Sequence, residues 1–267
     1  MTLRVGLIGY GAVGREVLDM VADGAAGHAQ VVAVLVRDPG RYRSTSDRTR
    51  TPFVGERSAL VAVRPDVVIE AAGHEAFREH VPALLEAGIE VLGISVGALA
   101  DSELLDTVRL AAERGGTRLR IPSGAIAALD AISSAAVGRV ERVTHTVRKP
   151  PHGLLPADEA EAVIASGQPR ELFAGPAREA ALRFPANVNV VAAVSLAGIG
   201  LDRTEARVVA DPALTRNTHE VLVEGHFGRL AVTIENIPSS NPKTGRIVAY
   251  SLVRALRAYS ESVVIGA

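Results

Sequence analysis

The chain has 267 residues, enough for one large domain or two modest ones. Hydrophobic residues make up 48% and charged residues 22%, which supplies a buried core and excludes global disorder. The 29 basic and 30 acidic residues nearly cancel, which excludes a protein that binds nucleic acid or a membrane surface through a basic field. Cysteine is absent, which excludes disulfides, thiolate metal sites and cysteine nucleophiles, and we predict no metal.

The N-terminal residues carry no signal-peptide pattern, because Met1 and Thr2 lead directly into a strand-like segment. The longest apolar stretch, residues 188–201, is interrupted by Asn189 and Ser195. It is also shorter than the ~20 residues that span a bilayer. We therefore expect a cytoplasmic protein with no membrane partner.

In the first 120 residues, apolar runs that resemble buried strands alternate with segments of helical periodicity. This alternation predicts a parallel, doubly wound sheet. A helix face around Phe77 is expected to end at Gly88 and to be kinked or shortened by Pro82, and Asp101 or Ser102 is expected to cap the next helix. Strands are predicted at residues 3–8, 31–36, 66–70, 89–95 and 118–121, and residues 37–51 are predicted to be a loop.

After Pro122 the periodicity changes to the two-residue alternation of half-buried strands. Residues 142–148, 206–210, 218–224 and 229–235 show it, and the last two segments are joined by a Gly225-His226-Phe227-Gly228 turn. Helices are predicted at residues 187–197 and 247–256. The fold class predicted is α/β: a Rossmann-type doubly wound parallel sheet, with a second α+β domain that carries a mixed or antiparallel sheet. The expected domains are residues 1–121, closed by 241–267, and residues 122–240.

The turn after the first strand carries glycines at positions 9, 11 and 14. Glycines with this spacing, between a strand and a helix, allow a dinucleotide pyrophosphate to approach the helix N-terminus. We predict cofactor contacts at Gly9, Gly11, Ala12, Val13 and Gly14. The alternative is that the glycines only form a tight turn.

The residue that would hold the cofactor ribose is ambiguous. The second strand ends at Val36, which is followed by Arg37 and then Asp38 instead of directly by an acid. Arg37 could bind the 2′-phosphate of NADP, whereas Asp38 could reach the 2′-hydroxyl of NAD. We expect NAD or NADP as cofactor, and an exposed loop position is the alternative for Arg37.

Among the seven histidines, His219 is the strongest candidate for proton transfer. It follows Asn217 and Thr218 and alternates with apolar residues, so a half-buried structural role is the competing interpretation. His145 also lies on an apolar strand face and is predicted to be structural. His74, at the carboxyl end of a predicted strand, could line the cofactor site.

Seven blocks of sequence, in order and along nearly the whole chain, resemble L-aspartate dehydrogenases. The glycine motif is shared by many families, but the other blocks together are specific. The blocks are Gly9-Tyr-Gly-Ala-Val-Gly14, Ser95-Val-Gly-Ala-Leu-Ala-Asp101, Ile121-Pro-Ser-Gly-Ala125 with Asp130, Arg148-Lys-Pro-Pro151, Phe184-Pro-Ala-Asn-Val-Asn-Val190, Asn217-x-His219 and Asn241-Pro-Lys-Thr244.

The resemblance implies a Rossmann domain plus a substrate domain, and NAD(P)-dependent oxidation of L-aspartate to iminoaspartate. The product would hydrolyse to oxaloacetate and ammonia or feed de novo NAD biosynthesis. The resemblance further implies that His219 is catalytic and that Ala125 and Asn189 contact the cofactor. It also implies a homo-oligomer, with a dimer expected.

The two carboxylates of aspartate require cations or N–H donors. Lys149 and Lys243 are the only lysines among the 29 basic residues, and both lie in blocks of the resemblance. We hypothesise that Arg148, Lys149 and Lys243 bind the carboxylates and that Asn217 and Thr244 add polar contacts. A solvated surface charge is the alternative for each cation.

The sequence is also compatible with two other classes of protein. The first is another two-domain reductase, similar to dihydrodipicolinate reductase or homoserine dehydrogenase. The second is a non-catalytic NAD(P)-sensing module. Semialdehyde dehydrogenases are excluded because they acylate a cysteine, which this chain lacks.

Overall fold

The chain forms two units, each with its own sheet and helices. The computed structural model describes residues 2–184, 188–241 and 245–266. The first unit comprises Met1–Gly124 and Ile247–Ala267, and the second comprises Ala125–Arg246. The boundaries thus fall three to six residues beyond the positions 121 and 240 expected from the sequence.

The first unit is built on a six-stranded sheet in which every pair of neighbours is parallel. Its order is β3-β2-β1-β4-β5-β6, the order of a dinucleotide-binding doubly wound sheet. The central strands are continuous apolar runs because helices cover both faces of such a sheet. This confirms the predicted Rossmann-type fold. The strands are β1 Leu3–Ile8, β2 Ala29–Leu35, β3 Phe53–Val54, β4 Val67–Glu70, β5 Glu90–Gly93 and β6 Leu119–Arg120.

Five helices of this unit lie between the strands, and two of the expectations about them are wrong. Residues 37–51 are not a loop: they form a short 3₁₀ helix and α2, and the Asp38 carboxylate caps the 3₁₀ helix by accepting the Gly40 N–H. Pro82 does not shorten α4, because the buried residues on either side, Val81 and Leu84, hold the helix against the core. Asp101 caps α5, as predicted. The helices are α1 Ala12–Ala22, α2 Arg43–Thr49, α3 Arg57–Ala62, α4 His74–Glu86 and α5 Ser102–Gly115.

The second unit contains a five-stranded mixed sheet of order β11-β10-β7-β9-β8. The pair β7–β9 is parallel and the other pairs are antiparallel, which confirms the predicted mixed sheet. Strand β8 was not predicted, because Phe173 is its only buried residue and its sequence does not alternate. The strands are β7 Val140–Lys149, β8 Arg170–Pro176, β9 Glu205–Ala210, β10 Asn217–Gly225 and β11 Gly228–Asn236.

One face of this mixed sheet is covered by helices and forms the core of the second unit. A cluster of buried residues on β7 and β10, including Val143 and Val221, packs with Ile132 of α6 and Val194 of α9. Small residues in α9 let the helix lie close to the strands. The helices are α6 Leu129–Ala136, α7 Ala157–Ser166, α8 Ala177–Arg183 and α9 Val188–Ala197.

The last helix, α10 (Ile247–Arg257), returns to the first unit and packs against α1. Its inward face includes Leu252 and Leu256, both fully buried. Within residues 2–184, 188–241 and 245–266, no helix is long and apolar enough to cross a membrane.

The packing of α10 gives a prediction about stability. Leu252→Ala should lower the free energy of unfolding by roughly 2–5 kcal/mol, because it leaves a cavity in a buried contact. The matched control is Leu110→Ala on α5, where the side chain is 51% exposed and the expected change is within about 0.5 kcal/mol. Urea unfolding of both variants measures the difference, and equal losses would contradict the packing of α10.

Candidate active site

The glycine turn between β1 and α1 has the shape required to bind an anion. Gly9 has φ of +95°, and a Cβ there would lie 2.8 Å from the Ala71 carbonyl oxygen. A Cβ on Gly14 would collide with the Gly9 carbonyl oxygen. Gly11 is different, because a Cβ there would meet nothing within 4 Å. The turn is therefore closely packed on its inner side and open at Gly11.

The first turn of α1 leaves its amide groups available to a ligand. Gly11 is the N-cap and has no side chain to bond them, and the first turn contains no acidic residue. Ala12 and Val13 follow, so their N–H groups lie at the positive end of the helix dipole. These features fit the pyrophosphate of a dinucleotide.

A buried carboxylate holds the loops beside this turn, and sequence reasoning missed it. Glu70, the last residue of β4, is fully buried. Its Oε1 accepts hydrogen bonds from the N–H groups of Ala72 (2.8 Å) and Gly73 (3.1 Å) and from the Ser95 hydroxyl (2.9 Å). Its Oε2 accepts the Ser95 N–H at 3.1 Å. The carboxylate thus joins the loop after β4 to the loop after β5.

Burial raises the pKa of Glu70, although its hydrogen bonds to Ala72, Gly73 and Ser95 oppose this shift. The sequence did contain a signal, namely a glutamate directly after three buried apolar residues of a central strand. Such a residue needs hydrogen-bond donors nearby. His74 follows the same loop as the first residue of α4.

The segment after β2 carries exposed charge beside the glycine turn. Arg37 and Asp38 are both exposed, and the Asp38 carboxylate is engaged by the Gly40 N–H at 3.0 Å. Arg48 and Arg15 lie close enough to Tyr10 of the glycine motif to lower the pKa of its hydroxyl, although burial raises that pKa on balance. Across the described residues, none of the arginines of residues 37–50 forms an ion pair.

In the second unit, the register of β7 and β10 places three polar side chains on one buried sheet face. His219 of β10 lies opposite Val147 of β7. Because side chains alternate across a sheet, His145 and Lys149 are its diagonal neighbours on that face. His219 is 5% exposed, Lys149 8% and His145 1%, and the same face carries the buried apolar residues Val143, Val147 and Val221.

The two histidines are hydrogen-bonded to each other. His145 Nε2 lies 3.2 Å from His219 Nδ1. Burial, together with the smaller effect of the Lys149 cation, lowers the pKa of His219 to about 4. Burial and the proximity of His219 hold the pKa of His145 well below its usual range. Both rings are therefore neutral near pH 7, and Nε2 is the nitrogen of His219 left for chemistry.

Two of the candidate substrate cations, Lys149 and Arg148, lie on different faces of the sheet. Lys149 shares the buried face of His219, but Arg148 points to the opposite face. There its guanidinium pairs with Glu220 at 3.0 Å and with Asp211 at 3.8 Å. These ion pairs remove Arg148 from the hypothetical carboxylate clamp, because its charge is already neutralised on the wrong face.

The remaining candidates are distributed over the second unit. Asn217 begins β10 and pairs in register with Asn236 of β11. The Asn236 side chain donates to the Ala125 carbonyl oxygen at 3.0 Å, which anchors one of the expected cofactor contacts. Asn189 is exposed near the start of α9. Lys243 and Thr244 lie outside the described residues.

No group of three or more His, Asp or Glu side chains that could hold a metal ion occurs in the part of the chain that the structure describes. The anion-binding turn on a doubly wound sheet and the neutral histidine in a second α+β unit are together the features of a nicotinamide-dependent oxidoreductase. The comparisons with known proteins narrow this class.

A family model for "Aspartate dehydrogenase, C-terminal" matches residues 130–259, and one for "Homoserine dehydrogenase, NAD binding domain" matches residues 9–122. The L-aspartate dehydrogenase of Methanosarcina barkeri is 41% identical, over 99% of each chain. That of Pseudomonas aeruginosa is 42% identical, over 98% of this chain and 100% of the relative. The crystal structure of aspartate dehydrogenase from Thermotoga maritima superposes with a TM-score of 0.79 at 25% identity, covering 100% of both chains. The chain belongs to the L-aspartate dehydrogenase family.

The lowered pKa of His219 predicts how stability depends on pH. The pKa of His219 is about 4 in the folded protein and 6.5 for an unperturbed histidine. Between these two pH values, the unfolded chain therefore binds more protons at His219 than the folded protein does. The contribution of neutral His219 to the free energy of unfolding is therefore fully present above pH 6.5. It is lost as the pH falls toward 4, by up to about 1.4 kcal/mol per pH unit for this one group. His219→Gln should reduce the slope measured by urea unfolding across this window.

The control for this measurement is His152→Gln, at a position where the side chain is 56% exposed. An unchanged slope in His219→Gln would show that His219 is not held neutral by the fold.

Proposed function

We propose that the chain is an NAD(P)-dependent L-aspartate dehydrogenase that oxidises L-aspartate to iminoaspartate. The observation that carries the proposal is the buried, neutral His219, which lies between its diagonal neighbours His145 and Lys149 on a largely apolar sheet face. A neutral imidazole is the group that the removal of a proton from a substrate ammonium requires. Membership of the family supports the identity of the substrate.

A nicotinamide cofactor bound at the glycine turn would supply the acceptor for the hydride that the substrate Cα loses. The proton from the substrate ammonium passes to Nε2 of His219, so the products are the iminium form of iminoaspartate, the reduced cofactor and one proton. A base works best when its pKa lies near the operating pH. The two carboxylates of aspartate at this face would raise the pKa of His219 from about 4 toward that range.

Lys149 is the cation that we assign to a substrate carboxylate. It is buried on the His219 face, and it acts on the pKa of His219. An ammonium and a carboxylate attract each other strongly where water is scarce. Asn217 begins the same strand as His219 and can supply an amide donor. Lys243 and Thr244 remain candidates on the resemblance alone.

Gly9, Gly11, Ala12, Val13 and Gly14 would hold the cofactor pyrophosphate, since the turn is open at Gly11 and its amide groups are uncapped. Ala125 and Asn189 are further cofactor contacts in this proposal. Iminoaspartate would then hydrolyse to oxaloacetate and ammonia, or be consumed in de novo NAD biosynthesis. A cytoplasmic homodimer is part of the same proposal and rests on the family resemblance.

The match of residues 9–122 to the homoserine dehydrogenase NAD-binding domain favours a second candidate, a reductase acting on a different small substrate. A spectrophotometric screen of amino acids with NAD and NADP separates the two. Reduction of the cofactor with L-aspartate, and not with homoserine, supports the proposal. Tight cofactor binding without any turnover would indicate a sensing module instead.

His219→Ala should lower kcat by ~10²–10⁴-fold, because it removes the base that takes the substrate proton. Cofactor affinity should be retained, since the glycine turn is untouched. The measurement is the rate at which reduced cofactor appears, with a fluorescence titration for cofactor binding. His226→Ala, in the exposed β10–β11 turn, is the matched histidine control and should keep full turnover. Full turnover in His219→Ala would overturn the assignment.

Arg37 is proposed to favour NADP. It is exposed beside Asp38, whose carboxylate is already occupied as a cap, and the surrounding arginines add positive charge. Arg37→Ala should lower the ratio of kcat/KM for NADP to that for NAD, by roughly tenfold for a lost charged hydrogen bond worth 1.5 kcal/mol. Arg50→Ala tests a neighbouring cation that is also exposed. An unaltered ratio in Arg37→Ala would remove Arg37 from the 2′-phosphate site.

A further inference from the structure

The contact between His145 and His219 has the geometry of a hydrogen bond in the plane of the rings. The two nitrogens are 3.2 Å apart, whereas the ring centroids are 5.4 Å apart and the ring planes differ by 14°. If the rings were stacked face to face, these two separations would be similar. The larger centroid separation places the nitrogens between two nearly coplanar rings, so one ring donates an N–H to the other.

Only one of the two rings can donate in this contact. A neutral imidazole has one N–H and one acceptor nitrogen, and burial keeps both rings neutral. Either His219 donates from Nδ1 and keeps a lone pair on Nε2, or His145 donates from Nε2 and His219 carries its proton on Nε2. The two arrangements give His219 opposite chemistry at the nitrogen that is left for the substrate.

Lys149 selects between these arrangements. It is the diagonal neighbour of His219 on the other side from His145, and its cation acts on the His219 ring. Nδ1 is engaged by His145, so Nε2 is the nitrogen that remains. An ammonium carries only donors, and its positive charge favours a lone pair over an N–H on the ring beside it. The arrangement with the lone pair on Nε2 is therefore preferred.

We propose that His145 is a positioning residue: its Nε2 accepts the Nδ1–H of His219 and so fixes the His219 tautomer whose Nε2 can take the substrate proton. The inference rests on the proposed role of His219 as the base. It also gives His145, which the sequence predicted to be structural, a part in the reaction without any contact with the substrate.

The walls around His145 explain why the partner is a histidine and not a carboxylate. A small cavity of about 10 Å³ beside it is lined mainly by apolar side chains, including Val147, Val191 and Val208. An ionised carboxylate in such surroundings would be costly, and it would raise the pKa of His219. A neutral imidazole fixes the tautomer without adding charge. Lys149 from β7 is the cation that acts on the pair. Arg207 of β9 pairs in register with Thr146, so its side chain lies on the opposite face of the sheet, where it binds Glu171.

The first test reads the tautomer directly in the wild-type enzyme. Two-bond ¹H–¹⁵N correlation spectra of ¹⁵N-histidine-labelled protein near neutral pH distinguish Nδ1–H from Nε2–H rings. Only seven histidines contribute, and spectra of His219→Gln and His145→Gln assign the pair. His219 is expected as the Nδ1–H tautomer. A wild-type His219 protonated on Nε2 overturns the proposal.

The second test separates positioning from packing. His145→Phe keeps a planar ring but removes the acceptor, so the Nδ1–H signal of His219 should give way to a mixture of tautomers. Its kcat should fall by ~10–100-fold, the range typical when the orienting partner of a functional histidine is lost. The KM for L-aspartate should stay unchanged. His145→Gln places an amide oxygen where Nε2 was and should restore most of the activity.

The matched control is Val143→Ala, on the same strand and face as His145 and fully buried. It should destabilise the protein without changing the His219 tautomer or kcat. Full activity in His145→Phe, or an equal loss in Val143→Ala, contradicts a positioning role. If the wild-type enzyme fails to turn over L-aspartate, the proposed function fails, while the wild-type tautomer still decides whether His145 accepts from His219.

Discussion

The pairing of β7 with β10 is the constraint on which the candidate active site depends. Their register sets His219 opposite Val147 and so gives it His145 and Lys149 as diagonal neighbours. A shift of one residue would move one strand's side chains to the other face of the sheet. The apolar core beneath the strands opposes such a shift, because Val143, Val221 and Val223 would then meet solvent. Packing of valines thus fixes the position of His219, the proposed base.

The same buried environment shifts the pKa of this histidine. Removal of water lowers the pKa of both histidines, and a neighbouring cation lowers that of His219 further. In the first unit, burial acts on a carboxylate instead, and Glu70 is accommodated by donors from two loops. In both units, a polar group enclosed by apolar strands is satisfied by a small number of specific partners.

Much of the fold could be predicted from local signals in the sequence. Continuous apolar strands and the Gly9–Gly14 turn predicted the parallel sheet, and two-residue alternation predicted β7, β9, β10 and β11. The predictions were wrong where the local sequence pattern is weak, or where tertiary packing outweighs it. Strand β8 buries little more than Phe173, and α4 continues through Pro82 because its neighbours are buried. The α2 segment is polar throughout, so no apolar periodicity marked it as a helix.

For the site, the sequence by itself determined which chemistry was available: no thiol, a glycine turn before a helix, and His219 next to polar residues on an alternating strand. Tertiary structure decided which groups act together. It joined His145 to His219 across 74 positions of sequence, set Lys149 beside them, and turned Arg148 away toward Glu220 and Asp211. The reason is physical. Residue types specify possible proton donors and acceptors, but the burial that shifts a pKa and the register that aligns two rings exist only once distant strands pair.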